Sequence, residues 1–102
     1  WGTISDNNLS IGETSTVDLT FTNDTNMSTV TVGDFAAGTA TPTISISGQV
    51  VTVTATPTVG VEATGQTVTF TGSYTDNAGN TGVNPAASPT YDVDTLAPTA
   101  PT

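Results

Sequence analysis

The stretch TISISGQVVTVTAT, residues 43–56, decides the fold class of this chain. Apolar and polar residues alternate on both sides of a two-residue Gly48-Gln49 turn, which is the pattern of two half-buried antiparallel strands. We therefore predict a tight hairpin in which Ile44 and Ile46 face the valines of the second strand.

The same period of two recurs along the rest of the chain. It predicts further strands at residues 1–5, 14–22, 28–32, 66–75 and 89–94. The side chains expected to point inward from the longer ones are Val17, Leu19, Phe21, Val68, Phe70, Tyr74, Tyr91 and Val93. Apart from a short FAAG turn, no segment has helical periodicity. About seven short strands in about 100 residues are typical of an immunoglobulin-like β-sandwich, so the predicted class is all-β.

Length and composition favour one domain without covalent cross-links. The chain has 102 residues and no cysteine, so neither disulfides nor thiolate metal sites can form. Threonine supplies about a quarter of the residues, as suits pleated, half-buried surfaces. We predict a domain over residues 1–95. Residues 96–102, with Pro98 and Pro101, are predicted to form a semi-rigid linker to a neighbouring repeat.

The charge balance narrows the possible partners. Nine acidic residues and no Lys, Arg or His give a formal net charge of −9, which disfavours nucleic acid and anionic membrane surfaces. No apolar run reaches the roughly 20 residues that span a bilayer, so membrane insertion is not expected. Without His, Lys or Cys to act as base or nucleophile, we do not expect an enzyme. We expect the isolated domain to be monomeric.

The carboxylates are predicted to gather at the two ends of the sandwich. In a standard arrangement, the loop YTDNAGNTG (residues 74–82) lies at one pole, together with the loop that carries Asp24. The acids Asp6, Glu13, Asp34, Glu62 and Asp94 collect at the opposite pole. Copies stacked head to tail would bring Asp94 of one toward Asp76 of the next, a like-charge contact that a cation would relieve.

Calcium is the cation that this chain's donors suit, because it takes six to eight oxygen ligands from carboxylates, amide carbonyls, backbone carbonyls and water. Zinc and copper would prefer the missing His and Cys. We expect calcium to be structural, with several ions per chain. Turn chemistry explains the same loop equally well, because Asp, Asn and Gly are also the residues that tight turns favour.

Three motifs resemble the bacterial Ig-like repeats of giant secreted adhesins with RTX-type C-termini. They are ISDNNLSIGETSTVDLTF (residues 4–21), YTDNAGN (residues 74–80) and YDVDTLAP (residues 91–98). The resemblance covers almost the whole chain, and within that family the chain is similar to extender repeats of ice-binding adhesins from polar marine bacteria. It implies identical repeats strung head to tail at the bacterial cell surface, outside the cell, which hold a distal ligand-binding domain.

The resemblance also implies which residues bind calcium. They are Asp6, Glu13, Asp24, Asp76, Asn80 and Asp94. Five of them match the family's motifs directly. Asp24 is only a positional substitute, because TNDTNMS (residues 22–28) replaces the family's S-E-A-V.

A binding module is the alternative function. Thr-x-Thr arrays could suggest a flat ice-binding face, and Trp1 could suggest a carbohydrate platform. Outward strand positions are ordinarily rich in threonine, however, and a terminal tryptophan is expected to pack against the first strand or a neighbouring repeat. We therefore favour the extender.

Overall fold

The structure, a computed structural model, describes residues 1–101, and Thr102 lies outside the described residues. Its strands are β1 (Asn8–Leu9), β2 (Ser15–Thr20), β3 (Phe35–Ala36), β4 (Thr41–Ser47), β5 (Val50–Thr56), β6 (Glu62–Gln66), β7 (Thr69–Phe70) and β8 (Tyr91–Asp94). Two short 3₁₀ helices span Met27–Thr29 and Val32–Asp34. The all-β class predicted from the sequence is confirmed. None of the helices formed by residues 1–101 is long and apolar enough to cross a membrane.

The strands form the two layers of a sandwich. One layer has the order β2-β5-β4, with both pairings antiparallel. The other contains β1-β8-β6, in which β1 runs parallel to β8, and the short β3-β7 pair. Because only two residues separate β6 from β7, they follow each other as one interrupted strand. The predicted hairpin is confirmed: Ile44 pairs with Val53, and Ile46 pairs with Val51.

The core lies between these layers and consists of the predicted alternate residues. Its fully buried members include Leu9, Val51, Val53, Val68 and Tyr91. Seven of the eight side chains predicted to point inward are buried, and Tyr74 is half-buried against the core. Burying such side chains contributes about 1.5–3 kcal/mol each, which is how a chain without disulfides holds together.

Five aromatic rings form an edge-to-face chain through the core. Phe70 is at its centre, with ring centroids 6.0 Å from Phe21, 5.2 Å from Phe35 and 5.7 Å from Tyr74. Trp1 extends the chain, 6.3 Å from Phe35. Edge-to-face pairs contribute about 0.5–1.5 kcal/mol beyond the area that they bury. This chain of rings provides the central packing that a disulfide supplies in antibody domains.

The predicted strand at residues 1–5 was wrong. This segment hydrogen-bonds to β2 at only two places, through Gly2 N–H to the Asp18 carbonyl and Ser5 N–H to the Thr16 carbonyl. Gly2 and Ser5 are three residues apart, whereas their partners Asp18 and Thr16 are two residues apart. The N-terminal segment therefore has one extra residue, which interrupts the ladder. The first strand begins later, at Asn8.

The predicted strand at residues 28–32 was also wrong. The Asn26 side chain accepts hydrogen bonds from the Ser28 N–H (3.2 Å) and hydroxyl (2.7 Å), while Thr29 N–H donates to the Asn26 carbonyl. These local bonds satisfy the backbone in a 3₁₀ turn and compete with a sheet ladder.

The predicted strand at residues 66–75 is only partly present. It is regular at Thr69–Phe70, and then the N–H groups of Thr71 and Gly72 both turn to the Asp34 carbonyl. The Asp34 side chain occupies the space that a Cβ on Gly72 would need. Asp34 therefore lies beside β7. The prediction that it lies at the pole with Asp94 was wrong. The FAAG turn likewise starts later, because Phe35 and Ala36 form β3.

The molecule is elongated, with extents of 64 × 19 × 18 Å. Its radius of gyration is 15.5 Å, against about 13 Å for a compact domain of this length. Thr95 is buried, whereas residues 96–101 are exposed and have no secondary structure. That residues 96–102 link this domain to another stays a prediction.

Candidate metal centre

The loop that follows Tyr74 holds Asp76 in a closed hydrogen-bonded turn. Asp76 Oδ1 accepts from the backbone N–H groups of Ala78 (3.0 Å) and Asn80 (2.8 Å). Its Oδ2 accepts from Asn80 Nδ2 at 3.0 Å. Gly79, at φ +89°, supplies the left-handed residue that the turn needs. Turn chemistry thus engages both predicted ligands, of which Asn80 is exposed and Asp76 half-buried.

The Asn80 side-chain hydrogen bond, reinforced by its backbone N–H, holds the pKa of Asp76 below the usual value. Asp76 is half-buried, and charge-assisted hydrogen bonds stabilise the ionised form of its carboxylate. The loop therefore carries a fixed negative charge throughout the neutral range.

The loop containing Asp24 lies directly against the Asp76 loop. Asn77 N–H donates to the Asp24 carbonyl at 2.8 Å, and Thr25 forms a β-bridge with Asp76. Thr22 fixes the Asp24 carboxylate by donating to Oδ1 at 2.6 Å. The prediction that these two loops share one pole is confirmed. Their meeting gives this end of the molecule two carboxylates and a cluster of backbone and amide oxygens.

Asp6 and Glu13 lie close together near the start of β2. The Ser10 hydroxyl and backbone N–H both donate to Glu13 Oε1, and they are the main reason that the pKa of Glu13 is lowered. Asp6 is held at the start of β2, where its backbone N–H donates to the Ser15 hydroxyl at 3.1 Å and its carbonyl accepts from that hydroxyl at 2.7 Å. Asp6 Oδ1 also accepts from Asn8 N–H at 3.0 Å.

Asp94 has a partner that the sequence did not identify as a site residue. It pairs in register with Glu62 across β6 and β8, and both side chains are exposed. The flanking pair is hydrogen-bonded through Thr95 N–H to the Val61 carbonyl, so Glu62 and Asp94 form a non-hydrogen-bonded pair, the type with the closer side chains. Two carboxylates in this position repel each other, which destabilises the strand pair by about 0.2–1 kcal/mol.

One chain offers the type of ligand that calcium takes, but too few acidic side chains lie together to complete a site. Every acidic group at the two ends offers the oxygen ligands that calcium takes, and the chain has no His or Cys to favour zinc or copper. Among residues 1–101, however, no three acidic side chains come close enough to share one ion. Six to eight ligands would have to include backbone carbonyls, water or a second copy.

The remaining acids are held by other partners. Asp18 Oδ1 accepts from the Thr52 hydroxyl at 2.7 Å, and Asp92 Oδ1 accepts from Gly65 N–H at 3.0 Å. The two side chains lie on outward strand faces, as predicted. Both take part in sheet structure, so they are poorer candidates than the acids at the ends.

Trp1 is not an exposed platform. Its indole N–H donates to the Ala86 carbonyl at 2.6 Å, and its ring packs against Phe35. The residue is half-buried. It closes the end of the aromatic chain within its own domain.

We expect Asn80→Ala to change how stability depends on pH. The folded pKa of Asp76 is depressed, so its contribution is present above the unfolded pKa of about 3.9 and is lost as pH falls through the folded pKa. The difference in urea midpoint between the wild type and the variant should therefore narrow as pH falls below about 4. Asn84→Ala is the control, because its Nδ2 donates to the Gly72 carbonyl and not to an acid. A difference that stays constant from pH 6 to pH 2.5 would refute the assignment.

Comparison with known proteins gives one match. A family model described as a bacterial Ig-like domain matches residues 3–93. No curated protein matches the chain, and no solved structure does.

Proposed function

Because this chain belongs to the bacterial Ig-like domain family, we propose that it is a structural extender repeat of a large secreted bacterial adhesin. Such domains are typically structural modules and not enzymes. Identical repeats join head to tail outside the cell, calcium binds at the junctions, and the array projects a distal ligand-binding domain from the cell surface. The sequence resemblance suggests ice as that domain's ligand.

The observation that supports this proposal best is the placement of uncompensated carboxylates at both ends of the sandwich. Asp24 and Asp76 lie in touching loops at one end, while Glu62 and Asp94 face each other near the end where the chain leaves β8. The chain has no Lys, Arg or His to neutralise them. A cation from solution is the remaining source of positive charge.

When two repeats stack head to tail, carboxylates of the two copies approach each other, and a cation is needed to offset their repulsion. Two unit charges 4 Å apart repel by about 4 kcal/mol at an effective dielectric constant of 20. A divalent ion between Asp94 of one repeat and the Asp76 loop of the next converts that repulsion into attraction. It also completes the ligand set that one copy lacks. Calcium would thereby fix the angle between neighbouring repeats and stiffen the array.

We expect calcium removal to lower the thermal midpoint of a head-to-tail pair of these repeats. A site at ten times its dissociation constant stabilises the folded state by about 1.4 kcal/mol, which corresponds to roughly 6–11 °C for a domain of this size. The measurement is a thermal scan of the pair in calcium, in magnesium and in a chelator. Magnesium should restore the midpoint poorly, because it demands a tighter octahedral site.

Glu62→Gln makes this test specific to the acidic pair. In chelator the variant should be as stable as the wild type or slightly more stable, because it removes a like-charge contact with Asp94. In calcium it should gain less than the wild type. Asp18→Asn is the matched control, with the same charge change in the middle of β2. Equal midpoints with and without calcium for the wild-type pair would overturn the proposal.

A further inference from the structure

The hairpin formed by β4 and β5 lies in a long stretch without charge. Residues 35–61 contain no acidic or basic side chain, whereas the nine acids are distributed over the rest of the chain. In a molecule with a net charge of −9, a strand without charged side chains is a surface that a second copy can approach with less repulsion than the acidic ends.

β4 is the outer strand of this layer, and the 3₁₀ helix Val32–Asp34 lies near it without a hydrogen bond to its backbone. The opposite side of the layer is partly covered, because Gly2 and Ser5 hydrogen-bond to β2. The two-residue turn makes Ser47 and Val50 a hydrogen-bonded pair. Hydrogen-bonded pairs alternate along an antiparallel ladder, so Ser47, Ser45 and Thr43 point their backbone groups toward β5. Ile44 and Ile46 therefore direct N–H and C=O outward, where no residue from 1 to 101 bonds them.

Natural proteins usually protect such an edge with charges, proline, bulges or short strands. Here β4 is seven residues long, carries no charge and has no register shift in its pairing with β5. Its one protective feature is Pro42, near the start of the strand. The segment from Thr43 to Ser47 has none of these protective features.

We propose that β4 is a docking edge for β4 of a second copy of this chain, paired antiparallel about a twofold axis at Ser45. In this register Ile44 of one copy is opposite Ile46 of the other, and the two pairs exchange four backbone hydrogen bonds. The register satisfies every outward group of both isoleucines without requiring the N–H that Pro42 lacks. The two three-stranded layers become one sheet of six strands.

The side chains favour the same register. Ile44 and Ile46 lie on the inner face of the sheet with Val53 and Val51, yet Ile46 is 41 % exposed. Pairing places Ile46 of one copy beside Ile44 of the other on that face. On the outer face, Thr43 is opposite Ser47 and Ser45 is opposite itself. All of these are small hydroxyl side chains that allow close approach.

The contact is a weak one, because a single edge pairing buries less area than a stable interface needs. An isolated domain is therefore monomeric at micromolar concentration, and pairing appears where the local concentration is high. The contact uses the side of the sandwich and not its ends. Edge pairing is therefore independent of calcium binding at the ends.

Disulfide trapping tests the register directly, because the natural chain has no cysteine. Ser45→Cys places two thiols opposite each other at a non-hydrogen-bonded pair, about 4.5 Å apart at Cα and within disulfide range. Ser47→Cys is the matched control on the same face, since its thiol is opposite Thr43 and far from its own mate. In an oxidising glutathione buffer, we expect Ser45→Cys to dimerise at least five times faster than Ser47→Cys.

A mixture of two cysteine variants distinguishes pairing in the proposed register from nonspecific disulfide formation. Thr43→Cys and Ser47→Cys together should give mainly the mixed dimer, because these positions face each other. Circular dichroism confirms that each variant folds. Equal dimerisation rates for Ser45→Cys and Ser47→Cys, or a statistical mixture of dimers, would overturn the proposal.

A charge at the centre of the contact supplies a test without cysteine. Ser45→Asp places two carboxylates together on the axis, whereas Thr56→Asp adds the same charge at an exposed position on β5. At millimolar protein and high salt, the concentration-dependent shifts of the Ile44 and Ile46 amide resonances should persist in Thr56→Asp and disappear in Ser45→Asp. Loss in both variants, or in neither, would contradict the edge pairing.

Discussion

Phe70→Ala is expected to reduce the free energy of unfolding by about 3–5 kcal/mol, the typical cost of truncating a buried aromatic ring. Phe70 is 4 % exposed and contacts the rings of Phe21, Phe35 and Tyr74. Its removal deletes three edge-to-face pairs and leaves a cavity that neighbouring strands cannot close. Because domains of this size are stable by only about 5–15 kcal/mol, the variant should be close to unfolding at 37 °C.

Urea denaturation followed by circular dichroism measures this loss. Val59→Ala is the control, because Val59 is 77 % exposed and its truncation should change the free energy by no more than about 0.5 kcal/mol. A loss below about 1 kcal/mol for Phe70→Ala would show that the aromatic chain is not the centre of the core.

Gly82→Ala is expected to cost about 2–4 kcal/mol through overpacking and lost ring contacts. A Cβ at this position would lie 2.2 Å from the Tyr74 ring. That ring cannot move freely, because its centroid is 4.9 Å from Phe21 and its hydroxyl donates to the Val83 carbonyl at 2.7 Å. Gly33→Ala is the matched control, since its Cβ would meet nothing closer than 3.9 Å.

A double-mutant cycle shows whether the Tyr74 ring causes the loss. In a Tyr74→Leu background the ring is absent, so Gly82→Ala should cost much less than in the wild type. Additive effects of the two substitutions would place the origin of the loss elsewhere.

The sequence predicted the parts of the fold that depend on a period of two. Alternation placed Val17 and Leu19 of β2 in the core, and a two-residue turn set the register of β4 against β5. It failed where individual hydrogen bonds replace the regular sheet ladder. Asn26 turns residues 27–29 into a 3₁₀ helix, and the Asp34 carbonyl interrupts the strand after Phe70. Such bonds depend on individual donors and acceptors, which a periodic pattern does not describe.

The candidate site was predictable in outline only. The loops of Asp24 and Asp76 were correctly expected to meet, because strand order places them at one pole. Glu62 and Asp94 were correctly expected at the same pole, but their direct pairing was not predicted. Their opposition depends on an irregular register between Ala63 and Gln66, which no sequence pattern reveals.

Calcium titration by calorimetry on one repeat and on a covalent head-to-tail pair shows whether the carboxylates at the two ends complete calcium sites across a junction. We expect the pair to bind at least one more ion than two separate repeats do, and Glu62→Gln or Asp94→Asn to weaken this additional site. If the pair binds no more calcium than two isolated repeats, or binds none, the account of a calcium-stiffened extender is wrong.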